Sequence, residues 1–443
     1  MSRFGLKVIE WSQLTASQQA EQLRRPTAVV PGLVESVAAI IAQVRDSGDE
    51  ALQSLTTRLD GVVPASLEVE PGKLDQASTA IDSGLSGAIA DAGARIRQFH
   101  AADIPQDRTV ETAAGLVCCV TYRPLARVGI YVPGGTAPLI STVLMLAIPA
   151  RLAGCGEIVM CSPPNRDGTI PAAVLAAARL CGVDRVFCVG GAQAIAAMAY
   201  GTGTIPRCYK IFGPGNAWVT AAKQQVAQDP EGAAIDMPAG PSEVLVIADA
   251  AAADGEGINF IAWDLLSQAE HGTDSQVILL TDCEELAVAV IRRLDELAPR
   301  SPRAAILEKS LAGARIIQVG DLDQALQVAN RYAPEHLILN TASARELAGQ
   351  VENAGSVFLG RWTPESLGDY CSGPNHVLPT YGFARAHGAL GVGDFMRRMT
   401  LQEASAEALI KVGPTAATLA RAEGLDAHRM AVHSRLASLE KRA

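Results

Sequence analysis

The chain contains no Cys-x-x-Cys pair, although it holds nine cysteines, at positions 118, 119, 155, 161, 181, 188, 208, 283 and 371. An odd count without framework spacing fits reduced thiols, so any metal would need nitrogen and oxygen donors. Long apolar runs are missing too. The longest, from Pro138 to Ala150, is interrupted by Ser141, Thr142 and Pro149 and is too short to span a bilayer, so no membrane partner is expected. The first ten residues lack the apolar core of a secretory signal, and the unframed cysteines lead us to expect reduced thiols in a cytoplasm. No basic block offsets the net charge of −10, which argues against nucleic acid as a partner. Also absent is the G-x-G-x-x-G fingerprint, so dinucleotide binding has to rest on weaker signals.

What is present is the balance of a soluble α/β enzyme rich in tight turns: 49% hydrophobic and 19% charged residues, with 40 glycines and 24 prolines in 443 residues. Residues 1–30 read as an arm. Helices are expected over 34–59 and 74–99, then a hairpin of 109–112 and 116–123. From Arg127 short apolar strands (128–132, 157–161, 185–189, 209–212) alternate with helical runs (139–152, 171–180, 192–200). Asp236-Met-Pro-Ala-Gly-Pro241 interrupts this series. A second one follows, with strands at 243–248, 276–281, 316–319, 336–339 and 356–359. Two parallel-sheet, Rossmann-like units result, one inserted in the other: 31–127 with 239–385, carrying the metal, substrate and acid–base residues, and 128–238, the nucleotide side. Residues 386–443 form a tail, with helices expected at 401–421 and 428–442. It is too thin to fold alone and is expected to pack on another subunit.

Glu335 and His336, in Tyr332-Ala-Pro-Glu-His-Leu-Ile-Leu-Asn340, sit where a turn meets a strand, and together supply general acid–base chemistry near neutral pH. Gln268 and His271, three apart at a helix end before Gly272, can converge on one ion. An imidazole near a helix end also needs no ligand. Asp369 lies in a Gly- and Pro-rich stretch read as a loop; it could complete a metal shell, bind a substrate ammonium or merely form a turn. Gly-rich turns follow three strands, at Val132-Pro-Gly-Gly135, Val189-Gly-Gly-Ala-Gln193 and Phe212-Gly-Pro-Gly-Asn216. They could admit phosphate at the following helix, although strand-to-helix turns use glycine regardless of ligand. His100 is assigned to a structural role.

These segments, together with Asp236-Met-Pro-Ala-Gly-Pro-Ser-Glu-Val-Leu245, Pro334-Glu-His336 and Gly368-Asp-Tyr370 through Asn375-His-Val-Leu-Pro-Thr380, occur in the order in which they resemble the histidinol dehydrogenase family. The resemblance runs from about residue 30 to the end of the chain. It implies NAD-dependent oxidation of L-histidinol to L-histidine by way of L-histidinal. It also implies one Zn2+ per subunit on Gln268, His271, Asp369 and His428, NAD contacts at Tyr131, Gln193 and Asn216, and Glu335 and His336 as the acid–base pair. Substrate contacts are implied at Ser242, Gln268, His271, His336, Asp369, Glu423 and His428, in a homodimer whose tails complete each other's sites. A neutral imidazole base and net proton release predict activity rising toward alkaline pH. Two other readings stand beside this one: an aldehyde dehydrogenase working through a cysteine thiohemiacetal, and a non-catalytic nucleotide- or sugar-binding α/β protein. The first lacks a cysteine with an evident activating partner.

Overall fold

The computed structural model describes residues 2–26, 31–62, 66–134, 138–237 and 240–441. The arm contributes β1 (Val8–Glu10), and the expected hairpin is β2 (Arg108–Ala113) with β3 (Leu116–Pro124). Then come β4 (Arg127–Tyr131), β5 (Glu157–Ser162), β6 (Arg185–Cys188), β7 (Lys210–Phe212) and β8 (Ala234–Ile235). The later series is β9 (Glu243–Ala248), β10 (Gln276–Thr281), β11 (Arg315–Gln318), β12 (His336–Asn340), β13 (Ser356–Leu359) and β14 (Met396–Ala404). Among the described residues these build a five-stranded parallel sheet in the order β6-β5-β4-β7-β8 and a six-stranded parallel sheet in the order β1-β11-β10-β9-β12-β13. The five-stranded unit is inserted between β1 and the rest of the six-stranded sheet. Every residue of β9, β10 and β12 is buried, which is why these segments read as unbroken apolar runs.

Several expectations need correction. The helix expected over 74–99 is two, Pro71–Ala80 and Ser83–Ala102, because Ile81 is extended and the Asp82 carboxylate caps the second by accepting from the Leu85 N–H. The helix expected from Leu401 begins only at Ala406. Before it, β14 pairs antiparallel with the whole length of β3, Met396 opposite Pro124 and Ala404 opposite Leu116. The arm is not a free lead-in, since β1 extends the six-stranded sheet through Val8–Glu10 beside Ile316–Gln318. Residues 33–102 also pack differently from the expected grouping of 31–127 with 239–385. Val37, Val44 and Leu52 of Leu33–Asp60 share a core with Val159 and Ile195, and Ile89 and Ile96 share one with Val128 and Leu144. Both cores lie on the five-stranded sheet. The expected boundary at 238–239 and Gly135 of the first Gly-rich turn fall outside the described residues.

No helix among the described residues is long and apolar enough to cross a membrane. The tail helices Ala406–Ala422 and Asp426–Glu440 pack on each other and leave Ile410, Leu419, Leu425 and Met430 exposed.

His100, near the end of Ser83–Ala102, is 1% exposed, and neither ring nitrogen finds a hydrogen-bond partner among the described residues. Burial pulls its pKa below the ordinary imidazole value. The unfolded chain therefore binds a proton that the folded chain refuses, so stability drains as pH falls below about 6.5. Replacing His100 by Leu is expected to shrink the difference in melting temperature between about pH 7.5 and about pH 5.5. An unchanged difference would remove His100 as the cause.

Candidate active site

The winding of the six-stranded sheet reverses between β9 and β12, and the site lies at the amino ends of those two strands. Glu243 opens β9, and His336 opens β12 directly after Glu335. In the parallel register His336 stands opposite Val244 on one side and Ser356 on the other. The helix Gly255–Ala269 runs back antiparallel to β9, so its last turn returns Gln268 to the same end of the sheet. His271 is just past that helix, not on its face. The His271 N–H donates to the Gln268 carbonyl at 3.2 Å, and this turn brings the pair together.

Asp369 is not in a loop. It belongs to the helix Glu365–Tyr370, one turn after Glu365, a residue that the sequence reading left unassigned. Thr363-Pro-Glu365 was the missed signal, since Pro364 is the N-cap and the helix that follows puts 365 and 369 on one face. Donor atoms of His271, Glu365 and Asp369 lie within 4.8 Å of one another. Glu365 is 0% exposed and its Oε2 has no hydrogen-bond partner among the described residues. Two carboxylates one helical turn apart, one of them fully buried, repel unless a cation or a proton neutralises one of them, and burial pushes the Glu365 carboxyl well above the usual carboxylate range.

The Glu243 main chain ties the cluster together. Its N–H donates to Glu335 Oε2 at 2.8 Å, and its carbonyl lies 3.1 Å from His336 Nδ1. The Gln268 amide satisfies its neighbours when its nitrogen faces Glu365 Oε1 at 3.1 Å and the Glu243 carbonyl at 3.2 Å. That orientation turns its oxygen away from these acceptors and frees it for a cation. Gln268 and His336 Nδ1 are also 3.1 Å apart, and only one of them can donate across that gap. A proton on Nδ1 goes to the Glu243 carbonyl and leaves Nε2 with its lone pair. A proton on Nε2 makes Nδ1 the acceptor of the amide. His336 Nε2 stands 3.6 Å from Asp369 Oδ1, beyond hydrogen-bond reach.

The electrostatics follow from burial. Desolvation pushes the Glu335 carboxyl up to about 8, and the His336 imidazolium beside it only partly offsets this. Burial works to lower the imidazole of His336, but the carboxylates of Glu365, Glu335 and Asp369 outweigh it and lift the group to about 10. Asp264, one turn before Gln268, is pushed up to about 7 by burial. His271 lies exposed at the rim, yet desolvation by the surrounding protein lowers its pKa, which keeps a lone pair on the ring near neutral pH. His376, held through Nδ1 to the Asp369 carbonyl at 2.8 Å, is likewise lowered by burial.

The nucleotide-side residues lie at the other polarity. The five-stranded sheet reverses its winding between β4 and β7, and in sheets of this kind ligands sit beyond the carboxyl ends of the strands at such a reversal. Tyr131 ends β4 and its Oη accepts the Gly191 N–H at 3.0 Å. Gln193, in the first turn of Gly191–Tyr200, is 1% exposed, and its Oε1 has no partner among the described residues. Asn216 caps Ala217–Gln228, its side chain accepting from the N–H groups of Trp218 at 3.0 Å and Val219 at 3.2 Å. Ser242 is half-buried immediately before Glu243. Glu423 and His428 are exposed on the tail and do not join the cluster of their own chain.

The cysteines offer no nucleophile here. Cys161 and Cys208 are buried, with thiols driven up by desolvation, and Cys371, just past Asp369, packs against the apolar core of the five-stranded unit.

A family model for histidinol dehydrogenase matches residues 23–436. The chain belongs to the histidinol dehydrogenase family. It is 54% identical to histidinol dehydrogenase of Xylella fastidiosa (strain 9a5c), over 98% of this chain and all of that one. It is 50% identical to the Vibrio cholerae enzyme of the same name, again over 98% of this chain and all of that one. A crystal structure of histidinol dehydrogenase from Elizabethkingia anophelis superposes with a TM-score of 0.92 at 42% identity, covering 96% of this chain and 97% of that one. The mixed α/β architecture with its helical tail is the architecture of that enzyme, and membership makes the chain an oxidoreductase whose family name specifies histidinol.

Gly368 fixes the helix that carries both carboxylates, because a Cβ there would lie 2.6 Å from the Phe358 ring. Gly368→Ala is expected to cost about 1–3 kcal/mol in urea unfolding and to weaken divalent-cation binding in chelator competition. Wild-type values for both would mean that the helix does not depend on this contact. Glu365→Gln is expected to weaken cation binding without loss of fold; unchanged affinity would remove Glu365 from the donor set.

Proposed function

We propose that the protein is an NAD-dependent, zinc-requiring dehydrogenase that oxidises L-histidinol to L-histidine through L-histidinal, the last steps of histidine biosynthesis. It works in the cytoplasm as a homodimer. The observation that carries this reading is the convergence of Glu335 and His336 with the nitrogen- and oxygen-donor group of His271, Glu365 and Asp369 at one end of one sheet. The unpartnered Glu365 Oε2 and its helical neighbour Asp369 fit a divalent cation, and a donor set without thiolate suits zinc held by Gln268, His271 and Asp369. The unpartnered Gln193 Oε1 beside Tyr131 fits a dinucleotide at the carboxyl edge of the five-stranded sheet, with Asn216 at the same edge.

When bound, zinc would fix the imidazole and amine of histidinol and NAD would accept the hydride of each oxidation. His336, with its Nδ1–H on the Glu243 carbonyl, takes the substrate hydroxyl proton at Nε2. With a cation held by His271 and Asp369 beside Glu365, the field that raises the His336 imidazole would weaken, and the base would be available near neutral pH. Glu335, anchored by the Glu243 N–H, takes the proton of the water that hydrates the aldehyde. Ser242 borders the site at the start of β9. The exposed apolar side chains of the tail support pairing with a second subunit, where the partner's Glu423 and the partner's His428 complete the substrate and metal contacts.

His336→Asn is expected to depress oxidation of both histidinol and histidinal by about 10²–10⁴-fold with zinc content intact, and Glu335→Gln to harm the aldehyde step more than the alcohol step. Losses below about tenfold at both positions sink the assignment. Chelation should abolish NADH formation from histidinol while NAD binding survives. Mixing His271→Asn with His428→Asn subunits should restore activity, since one site of each mixed dimer then carries no lesion. Continued silence, with mixed dimers present, rules out the shared site.

A further inference from the structure

Three segments must meet for the acid–base pair to form: the start of β9, the turn before β12, and the stretch around Tyr381. One guanidinium from the N-terminal arm touches the first two. Arg25 Nη2 donates to Glu243 Oε2 at 2.8 Å, to the Tyr332 carbonyl at 2.9 Å and to the Ala333 carbonyl at 3.2 Å, while Nε bonds Glu243 Oε1. Its plane lies over the Tyr332 ring, 3.8 Å from the centroid. The third segment closes on the same group, since the Tyr381 N–H donates to Glu243 Oε1 at 3.0 Å and its hydroxyl bonds the Pro26 carbonyl. Glu243 is 1% exposed, so its charge is compensated by Arg25 and by these donors.

Two of the three residues held by Arg25, Glu243 and Ala333, adjoin the acid–base pair. The Glu243 main chain contacts Glu335 through its N–H and His336 through its carbonyl. Ala333, two residues before Glu335, is left-handed at φ 56°, a conformation costly for a residue with a Cβ unless its surroundings enforce it. The carbonyls on which Arg25 closes are those of Ala333 and the residue before it. We infer that Arg25 is a positioning residue for Glu335 and His336: a clamp from the arm that holds the left-handed turn and the first residue of β9 in register. The inference rests on the reading of Glu335 and His336 as the acid–base pair. A lysine cannot replace the clamp, because a single ammonium lacks the planar fork that serves a carboxylate and two carbonyls together.

The test compares Arg25→Lys, Arg25→Met and the double variant Arg25→Met with Glu243→Gln, each as the full-length zinc-loaded enzyme. The double variant removes the buried charge that a single change would strand. For every variant that keeps the wild-type fold by circular dichroism, kcat is expected to fall about tenfold to a hundredfold while KM for NAD stays within about twofold, a split that general destabilisation does not give. A kcat within about twofold of wild type in the double variant overturns the clamp; if the double variant does not fold, Arg25→Lys decides by the same criterion. Glu335→Gln and His336→Asn are measured in parallel. If they retain activity, the acid–base reading fails on its own. If they lose it while the Arg25 variants do not, only the clamp fails.

Discussion

Too much negative charge in too little water is the constraint around which the site is built. Glu335, Glu365 and Asp369 surround His336 where desolvation opposes every carboxylate, and each raises the proton affinity of the imidazole. Among the described residues this stays partly unresolved, with no hydrogen-bond partner there for Glu365 Oε2 or His336 Nε2. Main-chain groups relieve what they can, the Glu243 N–H going to Glu335 and the Glu243 carbonyl to His336. The donor atoms of His271, Glu365 and Asp369 lie within 4.8 Å of one another, a group that could hold a cation there.

That local imbalance imposes demands far from the cluster. Glu243 can organise its neighbours only if its own side-chain charge is compensated, which draws in Arg25 from a segment 218 residues earlier in the chain. The arm is thus bound to the six-stranded sheet twice, through β1 at one edge and through Arg25 at the site. Helices 33–102, between the arm and the five-stranded sheet, complete the cores of the inserted unit.

Legibility in the sequence followed the range of the deciding interaction. Apart from the short edge strands β1 and β8, which the sequence did not reveal, the strands of both parallel sheets were readable because burial on both faces demands continuous apolar runs, and Glu335–His336 because a polar pair stood at the mouth of one. Asp369 was misread since the surrounding glycine and proline suggest a loop, whereas Pro364 begins a helix; Glu365 was lost with it. Met396–Ala404 contains good helix formers such as Leu401 and Glu403, and nine residues of pairing with β3 override that preference. Arg25 gives no local signal whatever, since its partners at 243, 332 and 333 are neighbours only after folding.

The two candidate sites lie at opposite ends of their sheets, and this sorts charge by backbone polarity alone. At the six-stranded sheet the site meets the last turn of Gly255–Ala269, where the aligned peptide dipoles give the helix end a partial negative charge although the Leu266, Gln268 and Ala269 carbonyls accept from the Glu270 N–H, the His271 N–H and the Ser310 hydroxyl. At the five-stranded sheet the carboxyl ends of the strands meet the first turns of Gly191–Tyr200 and Ala217–Gln228, where the aligned peptide dipoles give a partial positive one. A cation and an anionic diphosphate placed at the wrong ends would each oppose the field of the fold. The fold thus favours a cation at one candidate site and an anion at the other before any side chain is considered.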